Sequence, residues 1–464
     1  MSEHFDLVVI GAGPAGEKGA AQAAYFGKRV AIVERAPEPG GAGVHTGTLP
    51  SKTLRETALF LSGFAARELY GVTLTFVERH AAVPTLIARK DAMAAAEVGR
   101  MRRNLERHGV TYVQGDARFT SPHEVEVTGP AGERHLRAEV FLIATGSSPR
   151  RPPELPWDDP ALHDSDGILQ LDALPDSLTI LGAGVIGCEY ACMFAALGVA
   201  VTLIEPRDEV LPFLDVDVGA RLRASMQHLG IDLRVGRGWQ GVARQGQALV
   251  TTLADGTEIA ADRVLLAAGR SGNTDGLGLA ALGLAANARG QLTVDANYRT
   301  AVPHVFAAGD VIGFPALASV SMEQARVAMC HAFDLGYKSA VHPTFPYGIY
   351  TIPEASCVGE TEQSCQAAGV HYVVGRAEHE DNARGRITGD REGLTKLVVH
   401  RETRKLLGVH VVGERASEHV HIGQAVLNLG GTVDAFIDMV FNHPTLAETY
   451  KYAAYDALGK LARG

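Results

Sequence analysis

DLVVIGAGPAG, residues 6–16, is an apolar run that closes on three glycines, Gly11, Gly13 and Gly16. The run predicts a buried strand, and the glycines predict a tight turn into the small-residue helical stretch that follows. The pattern returns as LTILGAGVIG, residues 178–187, with Gly182, Gly184 and Gly187. Each copy leads through a helical stretch to a second strand ending in an acid, RVAIVE to Glu34 and AVTLIE to Glu205. This strand–loop–helix–strand unit binds dinucleotides. Its first glycine makes the turn, its second lets the pyrophosphate approach the backbone, and its third lets helix pack on strand. The phosphates rest on the helix N-terminus, and the acid accepts a hydrogen bond from the adenosine ribose. One such motif is weak evidence; two, each with strand, helix and acid in place, make a repeated domain.

The repetition continues outward. Hairpin-like regions follow each unit, EVEVTGPAGERHLRAEV (124–140) and ALVTTLADGTEIAADRV (248–264), the second with an Asp255-Gly256 turn signal. Each then enters a buried strand closing on small residues, FLIATG to Gly146 and LLAAGR to Arg270. HVFAAGD (304–310) supplies another buried strand ending in Asp310, as though the chain returns to the first domain. The Pro-rich RRPPELP (150–156) reads as a linker. Beyond about Phe345, TKLVVHRETRKLLGVHVVG (395–413) predicts antiparallel strands around a charged turn, and helices carry the chain to Gly464. The expected fold is α/β: two Rossmann-like domains, the second inserted in the first, and a C-terminal α+β domain. The expected boundaries are 1–149 and 273–344 for the first domain, 150–272 for the second and 345–464 for the third.

Composition narrows the function. With 43 basic and 53 acidic residues among 464, net charge −10, the chain is poorly suited to a nucleic-acid backbone. No apolar run approaches the roughly 18 residues of a membrane span, and MSEHFDLVVIGAG passes into a strand with no signal-peptide pattern. The five cysteines, Cys188, Cys192, Cys330, Cys357 and Cys365, are odd in number and scattered. They read as reduced thiols of a cytoplasmic protein. Cys188 and Cys192 share a helix face, where core packing is the simpler reading. No metal site is expected.

These residues carry a resemblance. GAGPAG, the frame GGAGVHTGTLPSK (40–52), ATG (144–146), GAGVIGCEYA (182–191), GRSGNTD (269–275), AAGDVIGFPALAS (307–319), YGIYTIPEAS (347–356), GERASEHVHIGQA (413–425) and HPTLAETY (443–450) span the chain. It resembles the FAD-dependent pyridine nucleotide–disulfide oxidoreductases, glutathione-reductase-like in fold, and within them the soluble transhydrogenase branch. VHTGTLPSK, GRSGNTD and the end section favour that branch. The resemblance implies FAD on the first unit, contacted by Gly11, Gly13, Gly16, Glu34, Gly41, Gly47, Thr48, Lys52, Thr145, Gly146, Gly309, Asp310, Leu317 and Ala318. Gly115 and Ala117 of QGDARF would lie by the adenine. It implies NAD(H) or NADP(H), as substrates, on the second unit through Gly182, Gly184, Gly187, Glu189, Glu205, Arg207, Gly269 and Arg270. Lys52 and Glu189 would pair at the hydride-receiving edge of the flavin. The C-terminal domain would build a homodimer or higher homo-oligomer, sending the pair His443–Glu448 to the partner's flavin.

Each of these residues has a plainer alternative. Lys52 follows Pro50 in an early helical turn, ahead of Leu54, Ala58, Leu61 and Ala65 at helical spacing; alone it would be a solvated lysine opposing the macrodipole. Glu189, in the first turn of the second unit's helix, would alone be a dipole-stabilising acid. His443 precedes Pro444, which can open a helix with Glu448 one turn in to orient the imidazole. Glu205 favours NAD(H) and repels a 2′-phosphate, whereas Arg207 could pair with one. In the disulfide reductases two cysteines stand where this chain has Gly43 and Thr48. Neither forms a thiolate, so dithiol exchange is excluded at this position. The implied reaction is ping-pong hydride transfer between NAD(H) and NADP(H) through FAD. The alternatives are an NAD(P)H-dependent quinone or dye reductase, with His443 and His45 as proton donors, and a non-catalytic nucleotide-binding sensor.

Overall fold

The computed structural model describes residues 2–63 and 79–463. The opening run is strand β1 (Glu3–Ile10), buried from Leu7 to Ile10. It turns into α1 (Pro14–Tyr25), with Pro14 in the first helical turn, where a missing N–H costs nothing. β2 (Val30–Glu34) lies parallel to β1. Then come α2 (Gly41–His45), α3 (Thr48–Ser62) and the long α4 (Arg79–Arg107). In α3, Leu54 and Ala58 are buried and Leu61 is half-buried, as the spacing predicts; Ala65 lies outside the described residues. β3 (Thr111–Gln114) extends the sheet, and β4 (Asp116–Ser121), β5 (Glu124–Gly129) and β6 (Gly132–Ile143) complete it as an antiparallel meander. β6 serves two neighbours on one side. Residues 132–137 pair with β5, and the apolar end 141–143 is left for a strand from much later in the chain.

The chain leaves this sheet through β7 (Ser147–Pro149). It builds a second sheet from β8 (Leu162–Asp164), β9 (Ser177–Leu181), α5 (Val185–Ala196), β10 (Ala200–Glu205), α6 (Val216–His228) and β11 (Asp232–Val235). β12 (Trp239–Gln245), β13 (Ala248–Leu253) and β14 (Glu258–Ala261) form a separate antiparallel layer, with Gly256 at φ +84° in its turn. β15 (Arg263–Leu266) then completes the parallel order β11-β10-β9-β15-β8. The return passes through β16 (Arg270–Gly272), which pairs antiparallel with β7. This two-stranded ribbon carries both crossings of an inserted domain. β17 (Val305–Ala307) then takes the free end of β6, and α7 (Ala318–Ala332) packs on α1, where Gly19 leaves room for Ala325 and Met329.

The third unit is β18 (Tyr347–Ile349), β19 (Glu354–Gly359), α8 (Glu362–Ala367), β20 (Tyr372–Glu378), α9 (Ala383–Thr388), β21 (Leu394–His400), β22 (Leu406–Gly413), α10 (Ala416–Asn428), α11 (Asp434–Asp438) and α12 (Glu448–Ala462). Its antiparallel sheet has the order β18-β19-β22-β21-β20. Two glutathione-reductase-like nucleotide domains and a C-terminal α+β domain are therefore present. The last helix begins at Glu448 rather than at Pro444. Residues 444–447 form a turn in which Thr445 Oγ1 donates to the Asn442 carbonyl and the Thr445 N–H donates to Glu448 Oε2. The Glu448 carboxylate thus satisfies an N–H ahead of the helix. Among the described residues no helix is long and apolar enough to cross a membrane. All five cysteines are free and buried.

Lys396 ties the second unit to the third. Its side chain is completely buried, and Nζ donates to Asp215 at 2.5 Å, to Asp217 at 2.8 Å and to Glu362. Arg376 adds bonds to Asp217 and Glu362.

Candidate active site

The two glycine loops are built alike. Gly11 and Gly182 have φ of +102° and +108°, where a Cβ would lie 2.4 Å from the Ala144 carbonyl oxygen and 2.7 Å from that of Ala267. A Cβ on Gly16 would lie 1.8 Å from the Gly11 oxygen, and one on Gly187 would lie 1.9 Å from the Gly182 oxygen. Nothing else fits there. Gly13 and Gly184 instead cap their helices with clear space before them: a Cβ on Gly184 meets nothing within 4 Å, and one on Gly13 meets only the backbone of Gly40 and Gly41. The acids repeat as well. Glu34 accepts from the Ala12 N–H at 2.7 Å and the Ala36 N–H at 2.9 Å. Glu205 accepts from the Ala183 N–H at 2.8 Å and the Arg207 N–H at 3.1 Å.

Arg207 does more than its sequence position suggests. Its guanidinium grips Glu205, Nε at 2.7 Å from Oε1 and Nη2 at 3.0 Å from Oε2. Burial pushes the Glu205 carboxyl up, but Arg207 and the two backbone amides outweigh it and hold it below its ordinary value. The arginine read as able to pair with a 2′-phosphate is therefore engaged by the acid it was set against.

The frame 40–52 presses on the first loop. A Cβ on Gly41 would lie 3.0 Å from Gly13 Cα, and one on Gly43 would lie 2.8 Å from Pro14 Cγ. Gly47 precedes α3, whose first residue is Thr48. His45 Nε2 meets the Pro39 carbonyl at 3.0 Å, which ties down one nitrogen of the imidazole read as a proton donor. Lys52, near the start of α3, meets Glu189 in α5 with Nζ 2.6 Å from Oε2. Glu189 is the fifth residue of its helix, so its carboxylate stands in the second turn rather than the first. The pair joins residues 137 apart in the chain. Tyr350 completes it. Its N–H donates to Glu189 Oε1 at 2.9 Å, and its ring centroid lies 4.8 Å from Lys52 Nζ.

Gly146 has φ +68°, and the Thr145 hydroxyl is buried without a partner. Gly309, at φ +83°, donates to the Gln324 side chain, and Asp310 accepts from Ser147 Oγ at 2.7 Å. Leu317 caps α7 and Ala318 begins it. Gly115 N–H donates to the Glu34 carbonyl, whereas Ala117 is packed in the core and offers a ligand only backbone. On the crossover ribbon, Gly269 has φ +94° and Arg270 donates to Ser147 Oγ and O at 2.8 and 2.7 Å. Arg270 Nη1 also lies 3.6 Å from Asp166. His443 stands apart, with Nδ1 3.0 Å from Glu448 and its side chain 69% exposed. Burial raises the Glu448 carboxyl, and His443 with the Thr445 amide brings it below its ordinary value. Within one chain, then, Lys52, Glu189 and Tyr350 converge, and the His443 pair is left at the surface. Cys188 and Cys192 are core residues whose thiols burial pushes up, the latter to about 12.

Residues 5–332 match the family described as pyridine nucleotide-disulphide oxidoreductase, and residues 345–454 match its dimerisation domain. The chain belongs to this family. Similar proteins include the soluble pyridine nucleotide transhydrogenase of Mycobacterium bovis, 46% identical over 459 residues covering 98% of each chain. That of Hahella chejuensis is 42% identical over 469 residues, 99% of this chain and 100% of the other. Among solved structures, LpdA from Mycobacterium tuberculosis superposes with a TM-score of 0.89 at 30% identity, covering 97% of this chain and 99% of that one. The HOCl-induced flavoprotein disulfide reductase RclA from Escherichia coli gives 0.87 at 27%, covering 96% and 98%. The family is FAD-dependent. The residues present fit that cofactor: a cleared helix N-terminus, the Glu34 carboxylate, and the orphaned Thr145 hydroxyl awaiting a polar partner.

Proposed function

We propose that this protein carries hydride between NAD(H) and NADP(H) by way of FAD, with no disulfide relay. The observation that carries the reading is the Lys52–Glu189 pair at 2.6 Å, set behind a loop whose relay positions, Gly43 and Thr48, bear no thiol. The cysteines nearest in sequence to that pair, Cys188 and Cys192, are buried in the core and point to packing, not exchange. The full-length likeness to soluble transhydrogenases supports the same conclusion.

FAD would lie along the first glycine loop, Glu34 and the Gly115–Ala117 backbone, reaching Thr145, Gly146, Asp310, Leu317 and Ala318. The nicotinamide nucleotides would take the second loop in turn, with Glu205, Arg207, Gly269 and Arg270. Bound FAD supplies the store that accepts two electrons from one nicotinamide and returns them to another. Lys52 holds a fixed positive charge where negative charge develops, and Glu189 orients it. Glu205, ionised and gripped by Arg207, favours the unphosphorylated ribose, while Arg207 stays close enough to receive a 2′-phosphate. The domain boundaries proposed are 1–149, 150–272, 273–344 and 345–464, which the positions of the crossover ribbon and of the third sheet support. A homodimer built on the C-terminal domain, as the dimerisation match supports, would give His443 its function as an acid or base, held in orientation by Glu448. A cytoplasmic location fits five unpaired thiols.

Anaerobic reduction with NADPH, followed by stopped-flow mixing with a NAD⁺ analogue and in parallel with menadione, tests the reading. Reoxidation by the nucleotide is the expected result. Reoxidation by menadione alone would replace it with a quinone reductase, and lipoamide reduction would contradict the absence of a thiol relay.

A further inference from the structure

Tyr350 belongs to the third unit, yet it touches both members of the Lys52–Glu189 pair. Glu189 uses one carboxylate oxygen for Lys52 and the other for the Tyr350 N–H. Lys52 Nζ in turn sits against the Tyr350 ring, 4.8 Å from its centroid. An ammonium on an aromatic face is held by the ring quadrupole, more strongly as water is removed. Lys52 keeps 24% of its side-chain exposure and Glu189 only 8%.

The segment carrying Tyr350 is itself pinned from two sides. Arg55, one turn after Lys52 on α3, donates Nε to the Thr351 carbonyl at 3.0 Å and approaches Glu354 at 3.2 Å. Glu354 accepts from both the N–H and hydroxyl of Ser417 at the start of α10, 3.1 and 2.7 Å away. A flexible lysine side chain has several staggered rotamers, and here its ammonium rests between the Glu189 carboxylate and the Tyr350 ring, with the Ser51 hydroxyl 3.3 Å away.

We infer that Tyr350 is a positioning residue for flavin reduction, its ring and backbone N–H holding the Lys52 ammonium and the Glu189 carboxylate in the geometry that stabilises the reduced flavin. The inference rests on the reading that Lys52 stands beside the flavin. It makes the third unit part of each chain's own active centre.

The test is the midpoint potential of the FAD-loaded protein, titrated against dyes of known potential, in Tyr350→Leu, Tyr350→Phe, Lys52→Met and the double variant Lys52→Met/Tyr350→Leu. Tyr350→Leu should weaken the preference for reduced flavin about tenfold, which is about 30 mV for a two-electron couple. Tyr350→Phe, which keeps the ring, should restore it. The double variant should match Lys52→Met, because a residue acting through Lys52 has nothing left to position. Should Tyr350→Leu not retain FAD, Tyr350→Met is judged by the same criteria. An unchanged potential in the ring-less variant, equal loss in Tyr350→Phe, or additive losses in the double variant would each overturn the inference. If Lys52→Met itself leaves the potential unmoved, the placement of Lys52 beside the flavin is what fails.

Discussion

Lys52 and Glu205 show how a side chain's neighbours decide its chemistry. A lysine near a helix N-terminus opposes the helix dipole, and Lys52, the fifth residue of α3, is held by Glu189 at 2.6 Å and by an aromatic face. Replacing it with methionine removes the charge that the proposed function sets beside the flavin, and losses of about a hundredfold are usual for such groups. Lys52→Met should therefore slow flavin reduction by about that factor with FAD content unchanged, as read by stopped-flow absorbance. At Glu205, the carboxylate proposed to meet an unphosphorylated ribose is also the group that holds Arg207. Glu205→Ala should free the guanidinium for a 2′-phosphate, and charge-assisted bidentate pairing is strong. The ratio of kcat/KM for NADPH over NADH should rise at least about tenfold, a change worth about 1.4 kcal/mol. An unaltered ratio would show that Arg207 does not reach the phosphate.

The element that repeats is strand, glycine turn and helix, and the repeat makes its two copies separable by experiment. A Cβ on Gly187 would lie 1.9 Å from the Gly182 oxygen, so α5 cannot approach β9 without shifting. The first copy, with Gly16 against Gly11, is untouched by that change. Gly187→Ala should weaken NADH binding by more than about tenfold while FAD remains bound. Calorimetric titration together with the flavin absorbance of the same sample reads both quantities. Loss of FAD as well would mean that the second domain's packing supports the first.

At the scale of the molecule, the buried knot of Lys396 with Asp215, Asp217 and Glu362 joins the second unit to the third. Removing one partner leaves buried charge uncompensated, which costs about 3–5 kcal/mol. Lys396→Met should lower the free energy of chemical unfolding by that amount. The pH dependence follows from the directions of the shifts. Burial raises the Asp215 carboxyl, but His410, Lys396 and the Glu362 amide outweigh it, so its folded value lies below its unfolded one. Asp217 is lowered too, by Lys396 and Arg376 against burial. Carboxylates depressed in this way contribute stability that is fully present above their unfolded value, about 3.9. That contribution is lost as pH falls through the lower folded values. The midpoint of thermal unfolding should therefore fall on acidification below about pH 4, and by less in Lys396→Met.

Much of this was legible in the residues alone, because glycine is required wherever a Cβ would strike backbone. Gly11, Gly16, Gly182 and Gly187 announce two nucleotide loops before any coordinate is known. The acids that end β2 and β10 mark where each ribose would lie, and Gly43 and Thr48 exclude a thiol relay by their chemistry. Spacing misplaced the start of the last helix, because Pro444 permits a helix that the Thr445–Glu448 turn delays. It set Arg207 against Glu205 as a candidate phosphate partner and carried no record of the two short contacts that join them. Tyr350 was not legible at all: it lies 161 residues from Glu189, and no local pattern records that its N–H and ring close the pair. The sequence by itself determined the repeated domains and the missing thiols, since these depend on backbone sterics and functional groups within short stretches. Only the tertiary structure decided which distant side chains meet, because the ion pair, the aromatic lid and the buried lysine knot each join separate units of the fold.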